Sequence, residues 1–204
     1  MATPEQNYRN LIAAARHPQD VVTIALAGVI ALRTLRKPPY DVPIAGLDRL
    51  AMDALKQQFF PAMDIDLHAS VSASDNSQPS DEFSDLVGLL LEHRSRHDEQ
   101  SLWLAHAIAT ASMADNHLWQ DMGLPNRATL SELMASHFTP LASRNTGDMK
   151  WKKFFYRELC AREGLTLCRA PSCGVCADQP QCFGPEDSAS GSFLLYASSR
   201  PSSI

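Results

Sequence analysis

The sequence has no hydrophobic run long enough to cross a lipid bilayer. Its longest apolar run covers residues 21–32 and is interrupted only by Thr23 and Gly28. A membrane-spanning helix needs about twenty apolar residues, so we interpret this run as a buried core helix. Residues 1–6 also lack the basic-then-apolar pattern of a signal peptide. We therefore expect a cytoplasmic protein that does not contact membranes.

The sequence also lacks an excess of basic residues. The formal net charge of the 204 residues is −5, whereas nucleic-acid binding needs a basic surface, so nucleic acid is not an expected partner. The sequence contains no G-x-S-x-G nucleophile motif, no glycine-rich phosphate loop and no H-E-x-x-H zinc motif. We therefore expect a protein that is not an enzyme.

Convincing alternation of apolar and polar residues is also missing, which argues against a sheet. Helical spacing recurs instead, most clearly in a stripe formed by Phe83, Leu86, Val87, Leu90 and Leu91. Further helices are expected over residues 47–59, 99–115 and 151–159. Another should follow a capping box formed by Thr129 and Glu132. The predicted fold is mainly α: a multi-helix globular domain with an irregular C-terminal cysteine-rich metal-binding loop.

The boundaries follow from residues that oppose regular structure. Three prolines within residues 37–43 separate the first helices from the next, and Gly164 is the expected end of the last long helix. Residues 69–80 are rich in Ser, Asp and Asn and should form an exposed loop. We expect a helical domain over 1–165, a cluster-binding segment over 166–186 and a flexible tail over 187–204.

Four of the five cysteines lie close together near the C-terminus, at Cys168, Cys173, Cys176 and Cys182, with the spacing C-x4-C-x2-C-x5-C. In a reducing compartment such a group favours metal binding over disulfides. Prolines and glycines in this segment favour turns, which can aim several thiolates and backbone N–H groups at one point.

Three interpretations of the cysteines remain open from spacing alone. The spacing C-x4-C-x2-C matches that of plant-type [2Fe–2S] ferredoxins, although their fourth cysteine lies much further away. Structural zinc usually takes two C-x2-C pairs, and only one is present. Unliganded or disulfide-bonded thiols are the third alternative. Cys160, which adjoins a predicted apolar stripe, is interpreted first as a core thiol.

The histidines give weaker signals. His93 and His97 have the i, i+4 spacing of a two-ligand helix face, but helix-surface or helix-end positions are the simpler interpretation. His106 falls on an apolar face and is expected to be a hydrogen-bonded core residue. His117 opens a stretch with several polar side chains and is a secondary candidate for contact with a metal.

Residues 145–169 carry a net charge of +3 in an otherwise acidic chain. Lys152, Lys153 and Arg157 are therefore candidates for steering an anion or an acidic partner, against the alternative of an ordinary solvated helix face.

Several segments together resemble one known family. They are WKKFFYRELC at residues 151–160, the cysteine motif followed by Phe183 and Gly184, HLWQDMGL at 117–124 and NTGDMK at 145–150. Over residues 92–186 the chain closely resembles the NifQ family of nitrogen-fixation proteins.

The resemblance implies a cytoplasmic carrier of a molybdenum–iron–sulfur cluster, with Cys168, Cys173, Cys176 and Cys182 as its ligands. Such a carrier would donate molybdenum for biosynthesis of the nitrogenase iron–molybdenum cofactor. Molybdate would be the metal source, and the cofactor-assembly scaffold would be the partner, with the nitrogenase iron protein as a further candidate. The alternatives are an iron–sulfur electron-transfer protein and a structural zinc-binding interaction domain.

Overall fold

In the computed structural model, residues 2–63, 79–164, 176 and 179–186 are described. Regular structure in these ranges is entirely helical and includes no strand, which confirms the predicted mainly α class. The described helices are α1 (Pro4–Ala13), α2 (Val21–Ala31), α3 (Arg49–Phe59), α4 (Asp81–Glu92), α5 (Glu99–Ser112), α6 (Leu118–Asp121), α7 (Arg127–His137), α8 (Thr139–Ala142), α9 (Trp151–Arg162) and α10 (Gln179–Phe183).

Helices α2 and α5 form the centre of the core. Nine of the eleven residues of α2 are buried, as expected for a helix that is apolar on every side. Helix α1 packs on α2, and α4 packs on α5, so the two central helices are covered by neighbours. Gly28 lets α2 approach the chain after α6, because a Cβ at this position would lie 2.1 Å from the Met122 carbonyl oxygen. None of the described helices has the length and apolar character needed to span a membrane.

Short polar side chains define where the helices begin. Asp20, Asp48, Ser80 and Asp98 each accept a hydrogen bond from a backbone N–H three residues further on. The predicted capping box at Thr129 is wrong, because helix α7 begins earlier. The Asn126 side chain accepts from the Thr129 N–H, since asparagine is an equally good cap and the apolar stripe does not mark the first turn.

Several predicted boundaries are confirmed. The break at residues 37–43 contains a cis Pro38–Pro39 peptide, and the buried Arg36 guanidinium holds it by donating to the carbonyls of Val29, Tyr40 and Val42. Gly164 has a φ of +67° after the end of α9, a conformation that favours glycine. Most of the predicted loop at 69–80 and the whole tail at 187–204 lie outside the described residues.

Candidate metal centre

The cysteine motif is described at two of its four positions. Cys176 and Cys182 are both half-buried free thiols, whereas Cys168 and Cys173 lie outside the described residues. Cys160 is a third free thiol, on α9, and it too is half-buried rather than enclosed in the core. Within the described ranges, no group of three or more His, Cys, Asp or Glu side chains is arranged to hold a metal ion.

Part of the cysteine segment is helical, which corrects the expectation of a wholly irregular loop. Helix α10 contains Pro180 and Cys182. Proline is tolerated here because the first N–H groups of a helix have no partner within the helix. Gly184 then turns the chain back, with its N–H 2.7 Å from the Pro180 carbonyl oxygen. A Cβ at Gly184 would lie 2.3 Å from that oxygen, so the turn requires glycine.

The end of this segment, residues 179–186, docks on the start of α9. The Lys150 N–H donates to the Cys182 carbonyl oxygen at 2.8 Å. Phe183 packs beside Gly147, where an added Cβ would lie 3.2 Å from the ring. The backbone of Cys182 is therefore fixed to the body by a hydrogen bond and its neighbour by a ring contact.

Arg127, the first residue of α7, makes the main polar contact to the same segment. Its Nη1 donates to Glu186 Oε1 at 2.6 Å, and its Nη2 donates to the carbonyls of Asp148 and Met149 at 2.9 and 3.0 Å. Nη2 also lies 2.8 Å from the Asp148 carboxylate. The Glu186 side chain is only 5% exposed, so this charge is buried against the guanidinium.

The turn over residues 145–150 is built to present those carbonyls. The Asn145 side chain accepts from the Met149 N–H and donates to the Met149 carbonyl, both at 2.9 Å. Asp148 adopts a φ of +51°, a left-handed conformation in which aspartate is tolerated better than most residues. Lys150 follows directly, so the same turn also sets the position of the N–H that binds Cys182.

His117 lies beside this contact. Its Nδ1 is 3.6 Å from Glu186 Oε1, and its side chain is 37% exposed. The His117 N–H donates to the Gln120 side-chain oxygen at 3.2 Å, which fixes the start of α6. The structure therefore brings His117 to the end of the cysteine segment, although they are far apart in sequence.

Other polar groups of the predicted site have internal partners. Asp121 is 6% exposed and accepts from the Asn116 backbone and side chain and from Lys152 Nζ, at 2.7 Å for the lysine. Lys152 also donates to the Ala114 carbonyl, and its side chain is 17% exposed, so it is a largely buried cation with internal partners, which favours a structural role over anion steering. Arg157 stacks on the Phe154 ring, whereas Lys153 is exposed.

The remaining histidines are explained by local structure. Helix α4 ends at Glu92, so His93 and His97 do not share a helical face; His97 instead accepts from the Arg94 side chain. His106 is hydrogen-bonded as expected, with its Nδ1 3.0 Å from the Ala45 carbonyl oxygen, but it is half-buried rather than enclosed in the core. Burial lowers the pKa of His106, and the bond to Ala45 opposes that effect.

Sequence reasoning missed Arg127, Asp148 and Glu186. One local signal was present at Arg127, because a cation in the first turn of a helix opposes the helix dipole and needs another reason to be there. The structure supplies that reason in the carboxylate of Glu186 and the carbonyls of the 145–150 turn.

Comparison with known proteins identifies close sequence relatives. The sequence model of the NifQ family matches residues 25–184. The chain is 42% identical over 147 residues to a NifQ homolog of Sinorhizobium fredii, an alignment that covers 72% of this chain and 64% of that protein. It is 45% identical over 106 residues to NifQ of Azotobacter vinelandii, covering 52% of this chain and 54% of the relative.

The match to NifQ of Rhodobacter capsulatus is longer, at 37% identity over 180 residues, and covers 84% of this chain and 96% of the relative. The first two alignments therefore cover less than two thirds of the length of either relative. No solved structure shows a significant match to the chain.

Proposed function

The chain belongs to the NifQ family, which is involved in nitrogen fixation, and on that premise we propose that it carries a molybdenum–iron–sulfur cluster and donates molybdenum for biosynthesis of the nitrogenase iron–molybdenum cofactor. The single observation that carries this proposal is the group Cys168, Cys173, Cys176 and Cys182, in a chain that matches the family across the motif. The four thiolates are the proposed ligands of the cargo.

The donor set fits such a cargo. Thiolates are soft ligands that suit iron–sulfur clusters, whose sulfides can in turn hold molybdenum. Cys176 and Cys182 are free thiols of intermediate exposure, so a cluster that they bind lies within reach of a second protein. Intermediate exposure favours a donor, because a fully enclosed site cannot pass its cargo to a partner.

The helical body and the cysteine segment have different roles in this proposal. The helical body provides a rigid surface, and the end of the cysteine segment is attached to it through Lys150 and Arg127. Ligand exchange at the four thiolates moves the cargo, so we propose a carrier in the cytoplasm rather than an enzyme. Molybdate is the proposed metal source, and the cofactor-assembly scaffold is the proposed recipient, with the nitrogenase iron protein as a further partner.

His117 is the proposed secondary ligand or cargo contact. Its ring lies beside Glu186, at the end of the same segment that carries Cys182. We expect His117→Ala to lower the molybdenum content of the loaded protein while leaving most of its iron. Full retention of both metals in this variant would remove His117 from the site.

The test is elemental analysis of protein purified anaerobically from cells given iron and molybdate, with an electron paramagnetic resonance spectrum of the same sample. The expected result is iron and molybdenum together with a cluster signal. Substituting any one of the four motif cysteines with Ala should lower both metals sharply. Cys160→Ala is the matched control, because it removes a half-buried thiol outside the motif, and it should have little effect.

Other results would reject the proposal in distinct ways. Iron without molybdenum, together with a reversible one-electron couple, would identify an electron-transfer protein. One zinc per chain, without a cluster signal, would identify a structural zinc domain. Equal metal loss in all five cysteine variants would show that Cys160 had been wrongly excluded from the ligands.

A further inference from the structure

Arg127 makes a largely buried ion pair that joins the end of the cysteine segment, residues 179–186, to the helical body. Helix α10 contains no buried residue, so apolar packing alone does not fix it. The ion pair between Arg127 and Glu186 joins two groups that are 20% and 5% exposed, and water screens it weakly.

Arg127 also affects the segment indirectly, through the turn over residues 145–150. Its Nη2 holds the carbonyls of Asp148 and Met149, and the next residue, Lys150, donates its N–H to the Cys182 carbonyl. One guanidinium therefore binds the chain four residues after Cys182 and sets the turn that binds Cys182 itself. A planar fork with several fixed N–H donors can do both, whereas the single ammonium of lysine cannot.

We propose that Arg127 is a positioning residue that fixes Cys182 and the chain after it in the geometry needed to hold the cargo. Arg127 acts through Glu186 and the 145–150 turn and does not itself bind the metal. The part of this inference that concerns cluster binding rests on the proposed function. Its first test concerns the metal-free protein and does not depend on that function.

The first experiment measures alkylation of Cys182 by iodoacetamide in the metal-free full-length chain, with Cys160 in the same molecule as internal reference. Loss of a charge-assisted hydrogen bond should raise the open population of the segment by about tenfold. We therefore expect Arg127→Lys and Glu186→Gln each to raise the Cys182 rate about tenfold while the Cys160 rate stays constant.

The double variant Arg127→Lys with Glu186→Gln separates coupling from two independent effects. If the two side chains act on Cys182 as a unit, the double variant should alkylate Cys182 about as fast as either single variant, whereas a rate near the product of the two single effects would contradict the coupling. Arg144→Lys is the control, because Arg144 makes a 2.6 Å ion pair within the helical body, with Glu158 on α9. It should leave the rate ratio of Cys182 to Cys160 unchanged.

General destabilisation gives a different result, because it would raise the rates of both cysteines together. An unchanged ratio of the two rates in folded Arg127→Lys or Glu186→Gln would overturn the positioning role. If Arg127→Lys does not fold, Glu186→Gln still tests the same contact from the segment side.

The second experiment uses anaerobically loaded protein. It measures the rate at which a chelator removes iron and the line shape of the electron paramagnetic resonance spectrum. Arg127→Lys should release iron faster and alter the line shape, because the ligand geometry is less restrained. If the wild type holds no cluster, the proposed function fails while the alkylation result still stands. If the wild type holds a cluster and Arg127→Lys matches it in both experiments, only the positioning role fails.

Discussion

The helical body and the docked end of the cysteine segment are stabilised in different ways. Helices α2 and α5 are enclosed by apolar neighbours, whereas α10 contains no buried residue. Its Cys182 and Phe183 are partly buried against the core, and polar contacts that include the Lys150–Cys182 hydrogen bond and the Arg127–Glu186 ion pair attach the segment to the body. Apolar packing therefore forms the core of the body. We expect the segment to shift its position without unfolding the body, as the proposed exchange of ligands with a partner requires.

The largest difference in stability between the body and the segment should come from substituting one phenylalanine in each. Phe154→Ala removes a fully buried ring in the body and should destabilise the fold by about 3–5 kcal/mol. Phe183→Ala removes a partly buried ring at the docked segment and should change the free energy of unfolding by about 1 kcal/mol or less. Urea denaturation of the metal-free proteins measures both values. Similar losses in the two variants would show that the segment is part of the cooperative core.

A second contrast lies between neighbouring lysines. Lys152→Met leaves the buried Asp121 carboxylate without its cation and should destabilise the body by about 3 kcal/mol. Lys153→Met changes an exposed side chain and should alter stability by about 0.5 kcal/mol or less. Thermal unfolding at one pH compares the two variants directly. Equal melting temperatures would contradict the structural role that we assign to Lys152.

The smallest expected effect is a pH dependence that belongs to the body. Burial lowers the pKa of His106 and of His137, so the unfolded chain takes up protons at these residues before the folded chain does. The contribution of these two residues to stability is therefore fully present above a pH of about 6.5 and is lost as the pH drops below that value. His106→Gln should make the fall in melting temperature between pH of about 7.5 and 5.5 shallower. An unchanged slope would mean that His106 binds protons equally in both states.

Local patterns predicted the body better than the segment. The apolar run that became α2 and the stripe that became α4 were visible because each helix buries residues at a regular spacing. The start of α7 was misplaced, since Asn126 caps as well as the predicted Thr129 and the apolar pattern does not mark the first turn. Helix α10 was missed because a five-residue helix has no period to detect.

No periodic pattern in the sequence indicated the polar contacts of the segment. Arg127 and Glu186 are 59 positions apart, and an ion pair at that separation leaves no periodic pattern. The cysteines themselves were conspicuous because four thiols of one type occur within a short stretch. Chemistry concentrated in sequence is therefore easier to predict than the contacts that hold it in place.

The hydrogen bond between Lys150 and Cys182 also completes the start of α9. In a capping box, a Glu or Gln at the third helical position accepts from the N-cap N–H, but here that position is Lys153, which has no acceptor. The Cys182 carbonyl, from a distant part of the chain, accepts this bond instead. Because such coupling is reciprocal, departure of the segment loosens the first turn of α9, and tightening that turn favours the docked segment. The Lys150 amide is therefore a natural reporter by which hydrogen exchange can distinguish the docked from the released state.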